Sequence, residues 1–219
     1  MLRTPLARRL KRRAHREVAF AQDVVVAEAY EAYPACVLHG GTAIWRCYGG
    51  TRFSEDLDAY LPGSAGDADE RFRRGLAAKG AKELKFRRTS DMVYGKFELG
   101  GGAVSFEGAL RGPPARSVRA YETLDGGSML VSALPPEELL QEKAAAYGDR
   151  RKVRDLYDVL FLLSRVEDVE RARGAVGSLV DGYAPPVDGA ELKALVLAGA
   201  APTPAEMLEA LERWARRST

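Results

Sequence analysis

The chain of 219 residues contains no asparagine and only two glutamines, Gln22 and Gln141. Depletion of thermally labile amides in a chain rich in arginine and glutamate fits a protein adapted to heat. Cysteine is equally scarce. Cys36 and Cys47 are too few for a disulfide framework, and neither has a Cys-x-x-Cys partner or a histidine at ligand spacing, so a zinc site is not expected. Flanking a glycine pair, they read as small buried apolar residues, although in a heat-adapted cell a disulfide between them is less out of place. Long apolar runs are missing too: Asp158 interrupts the stretch 156–163, which is far too short to span a bilayer. No apolar segment follows the basic opening residues, as a secretory signal would require. The expectation is a soluble, cytoplasmic protein with no membrane partner.

What is present is ordinary for a globular chain. Hydrophobic residues make up 46% and charged residues 29%, which argues against disorder and against a fibre. The length leaves room for one large domain or two small ones. No internal repeat is visible. The net charge of +2 is unevenly spread: Arg3, Arg8, Arg9, Lys11, Arg12, Arg13 and Arg16 place +7 in residues 1–16, leaving −5 for the remainder. A basic segment on a mildly acidic body is what a polyanion-binding arm looks like. It is equally what a solvated helical face looks like, with Leu2, Leu6 and Leu10 packing at four-residue spacing.

Hydrophobic periodicity predicts a helix from the start to about Tyr33, where Pro34 ends it. A short apolar strand, Cys36-Val37-Leu38, runs into Gly40-Gly41, and residues 42–48 read as a short helix. Residues 56–61 read as a strand and 67–78 as a helix. Three further strands are expected at 83–88, 92–99 and 103–110, the last two joined by a glycine hairpin turn, with another at 129–132. From Pro135 on, helices are expected at 136–147, 152–164, 166–183, 190–197 and 204–217, the last with Thr203 as N-cap. The pattern is α+β: a mixed-sheet region over 1–133, then a helical region over 134–219.

The chemistry concentrates between His39 and Asp58. A glycine pair between a strand and a helix lets the backbone approach a ligand. It presents amides and the Thr42 hydroxyl near a helix N-terminus, where the dipole favours phosphate. Asp56 and Asp58, two apart on a strand, point to one face while Leu57 and Ala59 point to the other. Adjacent carboxylates repel unless a cation neutralises them, and hard oxygen ligands suit Mg²⁺ held together with substrate phosphates. An anion cradle beside a metal platform is equipment for phosphoryl or nucleotidyl transfer.

The run VLHGGTAIWRCYGGTRFSEDLDAYL resembles the first motif of the AbiEii/AbiGii toxin family, nucleotidyltransferases of the DNA polymerase β-like superfamily. A second segment, Glu142-Lys143-x-x-Ala146 with Arg150 and Arg154-Asp155-x-x-Asp158-Val159, is similar to that family's downstream lysine and Arg-Asp-x-x-Asp helices. The resemblance covers roughly residues 20–165. It implies a nucleotidyltransferase-like mixed sheet with flanking helices, followed by a helical bundle that completes the active-site cleft.

By the same resemblance Gly40, Gly41, Thr42 and Ser54 would hold the nucleotide, and Asp56 and Asp58 would bind Mg²⁺, with Mn²⁺ as a substitute. Glu107 stands where the family more often has a third, aspartate, metal ligand. Lys143 would reach the phosphates, and Asp155 would orient or deprotonate the attacking hydroxyl or hold Lys143. Read from the residues alone, Asp155 could instead pair with Arg151. Asp158 should face a structural partner such as Arg154 or Arg150. His39 departs from the lysine often found before the glycine pair.

The implied reaction is attack by a hydroxyl on the α-phosphate of an NTP, with release of pyrophosphate. The family includes toxins acting on tRNA. The basic arm and the cluster Arg150, Arg151, Lys152 and Arg154 suit an RNA backbone, so an RNA acceptor, tRNA first, is expected. A cognate antitoxin is the expected protein partner. The alternatives are nucleotidyl transfer to a small molecule or protein side chain, and a non-catalytic nucleotide- or RNA-binding module. A purely structural partner of an antitoxin explains none of the acidic positions.

Overall fold

The computed structural model describes residues 4–63 and 66–217. Leu2 and Arg3, to which the sequence assigned packing and charge, lie outside them. The described chain falls into two compact units. One is formed by Ser54–Leu134 together with the chain up to Tyr48, and the other by Gly49–Phe53 together with the chain from Pro135 onward.

In the first unit, period-two alternation builds the sheet. Strands β1 (Val37–His39), β2 (Leu57–Tyr60), β3 (Lys82–Arg88), β4 (Met92–Leu99), β5 (Gly102–Ala109), β6 (Ser117–Glu122) and β7 (Ser128–Ala133) form one mixed sheet in the order β3-β4-β5-β2-β1-β7-β6. Along β4 and β5 buried and exposed residues alternate, with Val93, Phe97, Val104 and Phe106 turned inward. Gly100 (φ 60°) and Gly101 (φ 84°) turn that hairpin in the left-handed conformation that two-residue turns require. The inward face packs against helices α2 (Arg13–Ala32) and α4 (Gly66–Ala78). Phe72 of α4 sits among Tyr33, Phe97 and Phe106, with ring centroids 5.1–5.5 Å away. Burial of these rings stabilises this layer. Helix α3 (Gly40–Tyr48) follows β1 directly.

Two expectations are corrected here. The first helix is broken into α1 (Leu6–Arg9) and α2, because Leu10 and Arg12 are extended. Leu6 and Leu10 are buried, and Arg16 satisfies the carbonyls of Leu10 and Lys11 left by the break. Strand β6 had no counterpart in the sequence reading. Its segment Ser-Val-Arg-Ala-Tyr-Glu has few β-branched residues, and pairing with β7 makes it a strand.

The second unit holds helices α5 (Pro136–Arg150), α6 (Val153–Leu162), α7 (Val169–Asp181), α8 (Leu192–Leu195) and α9 (Pro204–Arg217). Helix α5 runs three residues past its expected end and closes at Arg151 in the left-handed region (φ 49°). Thr203 and Glu206 form a reciprocal cap at the start of α9. The segment Gly49–Phe53 joins this unit through backbone bonds, Phe53 N–H to Leu195 O (2.9 Å) and Leu197 N–H to Thr51 O (2.7 Å). Among the described residues no helix is long and apolar enough to cross a membrane.

Candidate active site

Strand β1 ends at His39, and the next residue, Gly40, has φ +70°. A side chain there would meet two obstacles. The backbone conformation is costly for L residues, and a Cβ would run into the carboxylate of Asp58. The Gly40-Gly41 step thus lets the start of α3 close directly onto an acidic side chain. His39 lies opposite Asp58 in the β1–β2 ladder, with its ring stacked on Tyr60 at 4.4 Å.

The loop leading into β2 has no ladder, so side chains satisfy its carbonyls. Gln22 of α2, fully buried, donates through Nε2 to Ser54 O (2.8 Å) and Glu55 O (2.9 Å). The buried Thr42 hydroxyl donates to Asp56 O (2.5 Å). Three successive carbonyls are therefore held by two side chains from different helices. Asp56 itself is exposed and sits just before β2, while Asp58 within the strand is half-buried.

Across the parallel β2–β5 ladder Asp58 faces Glu107. Partial burial, and then the negative charges of Asp58 and Asp56, push the Glu107 carboxyl above its usual range. The three acids therefore share one field. Among the described residues no three His, Cys, Asp or Glu side chains converge into a complete metal cage. The donor set nevertheless fits Mg²⁺, which takes one or two carboxylates and completes its shell with water and substrate phosphates.

The helical unit carries a buried ion network. Asp155, with no exposure, accepts from Arg150 Nε and Nη2 at 2.8 and 2.9 Å and from Lys143 Nζ at 3.3 Å. Burial alone would raise its carboxyl. The Arg150 hydrogen bonds and the charges of Lys143 and Arg150 outweigh that and hold it below the usual range. Lys143 also pairs with Asp158 at 3.3 Å. Asp158 in turn takes a two-pronged pair from Arg52, Nε to Oδ1 at 2.8 Å and Nη2 to Oδ2 at 2.6 Å. Asp158 is thus partnered by Arg52 and Lys143, not Arg154 or Arg150, and Asp155 pairs with Arg150 rather than Arg151. Each correction has its own cause: α5 continues to Arg150, and the chain at 49–53 packs with this unit.

The sequence model of one protein family, described as nucleotidyl transferase AbiEii toxin of a type IV toxin–antitoxin system, matches residues 26–216. The chain belongs to this family.

Solved structures agree on the fold of this AbiEii chain. JHP933 from Helicobacter pylori is similar at 21% identity and a TM-score of 0.61, covering 91% of each chain. The nucleotidyltransferase toxin MenT4 from Mycobacterium tuberculosis matches at 22% identity and a TM-score of 0.54, covering 97% of this chain and 86% of its own. Nothing among the curated proteins matches. The AbiEii chain is therefore a nucleotidyltransferase of a toxin–antitoxin family.

Its sheet unit gathers Gly40, Gly41, Thr42, Ser54, Asp56, Asp58 and Glu107, whereas Lys143 and Asp155 lie in the helical unit. Sequence reasoning passed over Gln22 and the partner of Arg52. A signal for the first existed: one of two glutamines in a chain devoid of asparagine sits on an otherwise apolar helix face.

Proposed function

We propose that this AbiEii nucleotidyltransferase transfers a nucleotide from an NTP to the 3′ end of an RNA, with tRNA as acceptor, in an Mg²⁺-dependent reaction. The supporting observation is the seating of the Asp58 carboxylate against the Gly40-Gly41 start of α3, with Glu107 in register beside it. That arrangement sets amides suited to a triphosphate against acids suited to its counterion.

In this reading the backbone of Gly40 and Gly41 binds the triphosphate, and Thr42 and Gln22 keep the 54–56 loop in place. Ser54 lies on that loop as a further nucleotide contact. Asp56, Asp58 and Glu107 would hold Mg²⁺, which when bound neutralises triphosphate charge and acidifies the acceptor hydroxyl. The hydroxyl oxygen attacks the α-phosphorus as its proton passes to water, the bond to the bridging oxygen breaks, and pyrophosphate leaves. Lys143 is assigned to the nucleotide's phosphates. Asp155, with both oxygens engaged by Arg150 and Lys143, positions that lysine rather than taking a proton. A cognate antitoxin is the proposed protein partner.

The test is incorporation of each α-labelled NTP in turn into total RNA with Mg²⁺, alongside Asp58→Ala. Label in a tRNA-sized band, absent in the variant, is the expected result. Turnover of NTP with a small molecule or protein as acceptor, and no labelled RNA, would replace the acceptor. NTP binding with no transfer at all would turn the protein into a binding module.

A further inference from the structure

The face of the sheet that carries Asp58 also carries an ordered row of polar side chains. In successive ladders His39 faces Asp58, Asp58 faces Glu107, Glu107 faces Tyr94, and Tyr94 faces Arg87. The row beside it places Lys85 of β3 opposite Lys96 of β4, which faces Ser105 of β5. Lys85, Arg87 and Lys96 are all exposed, and Lys85 rests over the Tyr94 ring at 5.4 Å.

The cations on the other face of this edge are treated differently. Arg88 pairs with Asp69 at 2.7 Å, and Arg73 of α4 with Glu83 at 2.7 Å. Among the described residues, Lys85, Arg87 and Lys96 have no carboxylate partner. Two lysines directly opposed in a ladder repel, so this face carries a cost that a bound polyanion would remove.

The direction of the reaction decides which polyanion. In phosphoryl transfer the attacking and leaving oxygens lie roughly in line. With the triphosphate at the start of α3, on the β1 side of Asp58, the acceptor must arrive from the far side, over β5 and β4. The basic face lies there, three inter-strand spacings or roughly 14 Å from Asp58 at its outer strand.

We propose that Lys85, Lys96 and Arg87 bind the phosphate backbone of the RNA acceptor and lead its 3′ hydroxyl along β4 and β5 to Glu107 and Asp58. The proposal rests on the RNA-acceptor reading above. Tyr94, between the cations and Glu107, offers a ring against which a ribose or base can lie.

The experiment measures binding of unfractionated tRNA by fluorescence anisotropy across a salt series, with labelled-NTP incorporation in parallel. Lys85→Ala/Lys96→Ala should weaken binding about tenfold near 0.1 M salt and reduce the log–log salt slope by about 1.4–1.8. It should raise KM for RNA and leave KM for NTP unchanged. Arg74→Ala/Lys79→Ala, which removes the same charge from exposed positions on and just after α4, should change binding less than twofold. Lys85→Arg/Lys96→Arg should restore binding, which separates charge from folding.

Equal losses from both alanine pairs, or an unchanged salt slope in Lys85→Ala/Lys96→Ala, overturn the proposal. If the wild-type protein neither binds nor labels RNA, the acceptor reading itself fails. If wild-type and the lysine variant label RNA alike, only the path fails.

Discussion

A methyl group at residue 40 separates the two things the glycine does. Gly40→Ala imposes left-handed strain of about 1–2 kcal/mol and forces the Asp58 carboxylate to move. A displacement near 1 Å at a reacting centre can cost on the order of a hundredfold. Nucleotidyl transfer should therefore fall far more than stability does, read as kcat beside Tm; unchanged kcat would mean that the seat of Asp58 does not matter. The cysteines behave differently. Both are free, and burial pushes the Cys36 and Cys47 thiols up to about 12. At pH 8 the buried Cys36 should resist thiol reagents until denaturant is added while the half-buried Cys47 reacts slowly, and rapid native labelling of Cys36 would contradict its burial. Chemical type was legible in single residues here, although Asp56, read as part of one strand with Asp58, stands just before that strand. Partners separated by long stretches of chain, such as Gln22 with Ser54 and Arg52 with Asp158, were not.

At the scale of elements, the α5–α6 pair depends on its ion network. Asp155 titrates below its unfolded value of about 3.9, so it contributes stability above that pH. That contribution is lost as pH falls through the lower folded value. Asp155→Asn should move acid unfolding, followed by circular dichroism, toward neutral pH, and its difference from wild-type should shrink below about pH 4. A difference that stays constant down to the acid limit would show that Asp155 is not charged in the fold. At neutral pH, removing it takes one of two carboxylates from Lys143 and one partner from the largely exposed Arg150, so Tm should fall. Arg52→Lys keeps the charge but loses the two-pronged pair with Asp158, and should lower Tm through this same unit. Helices with strong periodicity were readable to within a few residues. Strand β6 and the break before α2 were not, because pairing with β7 and the burial of Leu6 and Leu10 override local preference.

At the scale of the whole molecule, the basic opening segment packs through its leucines, as the helical-face reading expected, and keeps three cations in solvent. Leu6 and Leu10 are core, Arg9 pairs with Glu122 and Arg13 with Glu17, while Arg8, Lys11 and Arg12 remain exposed. Deleting residues 1–16 would therefore unsettle the fold as well as remove charge. Arg8→Ala/Lys11→Ala/Arg12→Ala is the cleaner test: Tm should hold, and tRNA affinity should fall with a salt slope smaller by about 2–3. An unaltered slope would leave the arm as surface.

Local patterns in the chain carried the class of fold and the nucleotidyltransferase assignment. Glycine pairs, alternating strands and doubled carboxylates are short-range patterns, and their physical meaning does not depend on distant residues. Which groups meet became visible in the fold: Asp58 against Gly40 and Glu107, Gln22 under the 54–56 loop, and Lys85 opposite Lys96. Those pairings follow from strand order and register, which are settled by burying Phe72, Phe97 and Phe106 in one layer rather than by any local signal.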